Sequence, residues 1–151
     1  MAASQFTFRL ERVRALRERT EDLAKEEYAS SVAHRTEGAA MLQAAADQRD
    51  QARAAARRAP DFALSGTDFL ASQAWLERVE RARQAAELEL DRRDAEVDAR
   101  HTALVKAARD RHALDRLRER SAAEHAVETA RREGYELDEL AAAGHRRRAF
   151  A

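Results

Sequence analysis

Histidines and neighbouring carboxylates are the side chains whose spacing invites a chemical reading. His101 and His112 lie eleven residues apart, so a helix would carry them on roughly one face, with Asp98 one turn before His101. Two imidazoles and a carboxylate suit a divalent metal, but a structural site of that kind needs a fourth ligand and an enclosing pocket. The sequence contains no cysteine, so neither a thiolate nucleophile nor a zinc–thiolate site can form. The adjacent pairs Glu26-Glu27 and Asp138-Glu139 could serve acid–base work only if a cavity drove their two pKa values apart. Phosphate-binding loops, a dinucleotide glycine motif and H-E-x-x-H are all absent. These residues therefore read as solvated side chains on helix flanks. No catalytic residue, no cofactor and no metal is expected, and the chain is not expected to be an enzyme.

Two apolar features point instead to protein surfaces. Trp75, the single tryptophan, heads a row with Val79, Ala82 and Ala86 at helical spacing. Tryptophan is over-represented among residues that dominate binding energy. Phe6 and Phe8 are two apart, so one helix stripe cannot hold both, which leaves one of them free for a partner or for the chain end.

These residues need elements to position them. Ala59-Pro60-Asp61 through Ser65-Gly66-Thr67-Asp68 interrupts two long helix-favouring segments. Proline inside a helix costs ~3 kcal/mol, and Ser65-x-x-Asp68 has the form of a capping box. The chain thus reads as helix 1 over about 5–58, a turn over about 59–67, helix 2 over about 68–142 and a frayed tail over 143–151 after Gly144. In helix 2, Leu76, Leu90, Val97 and Leu104 share one heptad position with Arg83. Val79, Ala86, Ala107 and Leu114 share the complementary one with Arg93 and Arg100. Helix 1 opens on an apparent stripe of Phe6, Leu10, Val13, Leu16, Thr20 and Leu23, then drifts through Tyr28, Val32, Ala39, Leu42 and Ala46. The expected fold is all-α, a single coiled-coil domain over 1–151 forming an antiparallel two-helix hairpin, a rod. The inter-helix register stays open, because so many seam positions are alanine or arginine.

Composition agrees. Of 151 residues, 37% are charged, 5% are aromatic, 37 are alanine, one is proline and four are glycine, which fits long helices and excludes disulfide scaffolds and β-sandwiches. Twenty-eight basic residues balance 28 acidic ones, so no field of one sign favours nucleic acid or anionic lipid. Arg146-Arg147-Arg148 lacks the row of stacking aromatics that single-strand binders use. No apolar run approaches the ~20 residues of a membrane span, and the start of the chain has no secretory signal. Partners other than nucleic acid, and no direct membrane insertion, are expected.

Three patches resemble the flagellar export protein FliJ family. They are Phe6-Thr7-Phe8-Arg9-Leu10-Glu11-Arg12-Val13, then Gly66-Thr67-Asp68-Phe69-Leu70 with Trp75-Leu76-Glu77-Arg78-Val79, and finally Leu114-Asp115-Arg116-Leu117-Arg118-Glu119-Arg120 to Asp138-Glu139-Leu140. The resemblance implies a hairpin similar to the central stalk of rotary ATPases. It implies a non-enzymatic, cytoplasmic component of the flagellar type III export apparatus, peripheral to the cell membrane at the flagellar base, and so a part in flagellum biogenesis, motility and chemotaxis. Its partners would be a hexameric export ATPase, the cytoplasmic linker of an export-gate membrane protein, and export chaperones. Phe6, Phe8, Leu10 and Val13 with Asp138, Glu139 and Arg146 would form the tip that enters the ATPase ring. Trp75, Val79, Ala82 and Ala86 would face the gate, with Ala86 smaller than the resemblance implies. The alternatives are a generic coiled-coil scaffold or adaptor, and the equivalent stalk of a virulence-type secretion system.

Overall fold

The computed structural model describes residues 6–58 and 65–149, with side chains to residue 146. Two helices carry the described residues, α1 (Glu11–Arg58) and α2 (Gly66–Ala149), with no strand among them, so the fold is all-α. Most of the expected turn, Pro60 included, lies outside the described residues.

Helix α1 starts at Glu11, six residues later than the composition suggests. The Phe6–Leu10 segment is instead non-helical, with a turn at Arg9–Leu10, and its side chains alternate in burial. Phe6, Phe8 and Leu10 are half-buried while Thr7 and Arg9 are exposed. Alternate burial seats both phenylalanines against the protein, where a single helix stripe could not hold both. The Glu11 N–H donates to the Phe8 carbonyl at 3.1 Å, and the Arg14 N–H makes the first helical bond to the Leu10 carbonyl at 2.9 Å.

The capping box at the start of α2 forms as the spacing requires. The Asp68 N–H donates to Ser65 Oγ at 3.2 Å and the Ser65 N–H to Asp68 Oδ2 at 3.3 Å. Ser65 is therefore the N-cap, and α2 begins at Gly66 rather than near 68. At the other end α2 continues to Ala149, so the tail expected after residue 142 is helical. Gly144 does not stop the helix because it adopts no positive φ, and without that left-handed cap its cost against alanine is only about 1 kcal/mol. The three alanines before it favour continuation.

Contacts divide the chain into two compact units. One joins Met1–Glu21 with Ala107–Ala151, and the other is Asp22–Lys106. In each unit a stretch of α1 lies antiparallel to a stretch of α2. In the second unit, Glu27 meets Arg100 at 2.8 Å, Arg35 meets Asp94 at 2.8 Å and Arg53 meets Glu80 at 3.2 Å. As one partner advances along α1 the other retreats along α2. The first unit repeats this with Glu11–Arg118 at 3.5 Å, Arg14–Asp115 at 3.7 Å and Arg17–Asp110 at 3.3 Å. Exposed pairs of this kind contribute about 0–1 kcal/mol each, so they fix register more than they stabilise.

The α2 seam is where the heptads place it. Within the second unit Leu76, Arg83, Ala86, Leu90, Arg93, Val97, Arg100 and Leu104 are half-buried and Val79 is buried. The α1 seam corrects the expectation. It runs without a stutter through Leu10, Arg14, Arg17 and Glu21 in the first unit, and through Ala24, Tyr28, Ser31, Arg35, Gly38, Leu42, Ala45, Arg49 and Ala52 in the second. Val13, Leu16, Leu23 and Val32 face outward, at 41%, 61%, 61% and 38% exposure. The pairing face is the one that brings arginines and carboxylates across to α2, and the alternate apolar row is left to solvent. No large side chain is fully buried among the described residues, and the buried apolar ones are Ala52, Val79 and Ala107.

Candidate functional site

In the first unit, the segment before α1 closes against α2. The Phe6 ring lies 5.6 Å from the His125 ring at a tilt of 58°. Phe6, Phe8 and Leu10 share a shallow groove with Leu117 and Ser121. One turn further on, Arg14 gathers Glu11 at 2.8 Å, Glu18 at 3.6 Å and Asp115 at 3.7 Å. The Arg14 hydrogen bond holds the Glu11 carboxyl below its ordinary pKa, with the Arg14 and Arg118 charges acting in the same direction. Glu11 in turn raises the Arg14 guanidinium. Val13 projects from this patch into solvent.

Asp138, Glu139 and Arg146, expected to complete the same tip, do not join it. They lie at least thirteen residues beyond His125 on α2, about 20 Å along the helix. Every residue from 130 to 142 is exposed, so this end of α2 forms an overhang without a packed partner among the described residues. Tyr135, Leu137 and Leu140 are 75%, 66% and 67% exposed there. Sequence reasoning passed over these three. Their signal is large apolar type beyond the paired stretch: Tyr135 continues the heptad position of Val79, Ala86 and Ala107, while Leu137 and Leu140 lie off that seam.

The first unit also holds a polar seam residue that sequence reasoning missed. Glu21 is buried at 6% exposure and accepts a hydrogen bond from Arg111 Nε. Arg111 also bridges to Asp115. The Glu21 carboxylate raises the Arg111 pKa, first through that hydrogen bond and then through its charge, against the opposing effect of burial.

In the second unit, the row headed by Trp75 divides. Trp75 is 48% exposed and its ring takes the Arg78 guanidinium at 5.8 Å, a cation–π contact. Ala82 is exposed and Ala86 half-buried. Val79 is 3% exposed and belongs to the seam. Leu76 lines a shallow groove with Arg53, Glu77, Glu80, Arg81 and Gln84 beside it. Phe69 and Leu70, 54% and 68% exposed, extend the apolar surface toward the start of α2.

The residues that could have done chemistry are dispersed. His101 stacks on Tyr28 at 5.6 Å between ring centres, as part of the packing around the seam. Glu26 and Glu27 line an open groove with His34, Glu96 and Arg100. No group of three or more metal-ligating side chains comes together among the described residues. No helix among them is long and apolar enough to cross a membrane. What the geometry offers is exposed apolar side chains set among ordered charges, which suits contact with other proteins.

Comparison with known proteins gives one match. A family model described as "Flagellar FliJ protein" matches residues 6–150. No curated protein and no solved structure matches the chain.

Proposed function

The chain belongs to the flagellar FliJ protein family, and from that premise we propose that it is the central stalk of the flagellar export ATPase. That family is an export component rather than an enzyme family. The observation that carries the reading is the family match from residue 6 to residue 150, which spans both helices and the segment before α1. The chain sits in the pore of a hexameric export ATPase, promotes ring assembly and hydrolysis, and joins the ring to the export gate. It works at the cytoplasmic face of the membrane and passes export chaperones along the same route.

The surface supports such a role. The Phe6–Val13 patch and the overhang with Asp138, Glu139 and Arg146 are the two parts of the ring contact. The patch supplies apolar anchors and the overhang supplies charge of both signs. Trp75 and Ala82 supply the gate contact, held in place by Val79 and Ala86 in the seam. Hot-spot residues at interfaces are aromatic anchors inside a polar rim, and Trp75 beside Arg78 and Glu77 fits that description.

The test is ATP hydrolysis by the partner ATPase with and without the chain. Added chain is expected to stimulate hydrolysis. The double substitution Phe6→Ala and Phe8→Ala should abolish the stimulation while circular dichroism shows the helices intact. Unchanged hydrolysis at saturating wild-type chain would remove the basis for the stalk.

A further inference from the structure

The overhang of α2 carries an apolar row without a packed partner among the described residues. Val127, Ala130, Gly134, Leu137, Ala141 and Gly144 recur at alternating spacings of three and four, the pattern of a coiled-coil face. Val127 and Leu137 are 54% and 66% exposed. The two glycines of the row have no intrachain reason to be glycine. Neither has a positive φ, and a Cβ built on either would meet nothing within 4 Å. Gly38 in the α1 seam is the contrast, because there a Cβ would meet Arg93 Cδ at 2.9 Å. In this chain a helical glycine of the seam admits a side chain from the facing helix. The overhang keeps two such positions with no facing helix among the described residues.

We infer that this face pairs with the same face of a second copy of the chain, antiparallel, over residues 127–144. The charges choose the occupant. In the antiparallel register that sets Val127 opposite Gly144, Ala130 opposite Ala141 and Leu137 opposite Gly134, each Leu137 enters the gap of the partner's glycine. The flanking positions then bring Arg131 of one copy beside Asp138 of the other, twice by symmetry, and Glu124 beside His145. No like charges are opposed at these positions. A two-fold interface must be self-complementary, and this segment is. Arg131 and Asp138 are both exposed and form no ion pair among the described residues. The overlap is about 26 Å long, which places the complex among weak, concentration-dependent ones. This pairing stands apart from the ATPase reading and is measured on the chain alone.

Sedimentation equilibrium over a range of concentrations tests it. The weight-average mass should rise from 17.0 kDa toward twice that value, with helicity rising alongside. Leu137→Glu should weaken association by about tenfold or more, while Tyr135→Ala, on the other side of the helix, leaves it unchanged. Arg131→Asp and Asp138→Arg should each fail to self-associate, because each opposes like charges across the dyad. An equimolar mixture of the two should associate, and so should the double variant. These exposed substitutions leave the hairpin contacts in place, so loss of association cannot be ascribed to unfolding while the ellipticity holds. A mass that stays at 17.0 kDa, or a dimer indifferent to Leu137→Glu, or a mixture that fails to pair, would overturn the inference.

Discussion

Glu21 occupies a seam position where a heptad ordinarily holds an aliphatic side chain, and it is tolerated because Arg111 reaches it from α2. Removing one member of such a pair leaves the other desolvated and poorly compensated. Arg111 keeps Asp115 and is 25% exposed on its side chain, which limits the damage. Glu21→Gln should therefore lower the unfolding free energy by about 1–3 kcal/mol, read as a lower urea midpoint. Replacing both, as Glu21→Leu with Arg111→Met, should recover the loss or exceed it, because packed apolar side chains carry no desolvation cost. An unmoved midpoint in the single variant would contradict the role given to the pair. Glu11 behaves differently because it is exposed. Its folded pKa lies below the ordinary 4.5, so its contribution is fully present above that value and is lost as pH falls through the folded pKa. Wild type and Glu11→Gln should thus differ in stability near neutral pH and converge in acid. A gap that widened on acidification would have the wrong sign.

At the scale of the elements, the two helices and the capping box of α2 were legible because their signals are local. Ser65 and Asp68 are three residues apart whatever the rest of the chain does, and the α2 seam holds leucine and valine at most heptad positions. The α1 seam was not legible. Its strongest apolar row, Val13, Leu16 and Leu23, is the one that faces out. The face that pairs is chosen by arginines and carboxylates whose partners lie 27 to 107 residues away, from Arg53–Glu80 to Glu11–Arg118, and a periodicity confined to one helix cannot register them. The non-helical start had a signal that a helix-first reading discards, namely apolar residues at 6, 8 and 10. The candidate surface was half legible for the same reason. Aromatic type singled out Trp75, Phe6 and Phe8, while Val79 fits both the Trp75 row and a seam heptad position, and it is buried at the seam. The glycines yield a prediction at this scale. In dilute solution Gly134→Ala should raise helix stability by up to about 1 kcal/mol, because its Cβ enters open space. Gly38→Ala should gain less or nothing, because the same propensity is offset by displacement of Arg93, whose Nη1 donates to the His34 carbonyl at 2.6 Å. Thermal melts followed at 222 nm separate the two, and an equal gain at both sites would mean that Arg93 moves without cost.

For the whole molecule the governing quantity is how little surface folding removes from water. The chain exposes 12206 Å², where a compact monomer of 17.0 kDa exposes about 7,700 Å² and its unfolded form about 24,600 Å². Folding therefore buries about half of the unfolded surface rather than the 68–70% of a globular chain of this length. Denaturant sensitivity follows the area exposed on unfolding, so the urea m-value should be about three-quarters of that of a globular protein of 151 residues. The same shortage limits the hydrophobic term, and the ion pairs that set register cannot replace it. Such a chain draws stability from what it binds, since a partner that takes only the folded form stabilises it by about 2.7 kcal/mol at one hundred times its dissociation constant. Proteolysis of the chain alone and with the ATPase present should show this most clearly on the exposed overhang. Cleavage after Arg131 and Arg132 is expected to be fast in the free chain and slowed at least tenfold in the complex, the lower bound that 1.4 kcal/mol of stabilisation implies. Equal rates in both would mean that the overhang stays outside the ring, and the contact would then rest on the Phe6–Val13 patch.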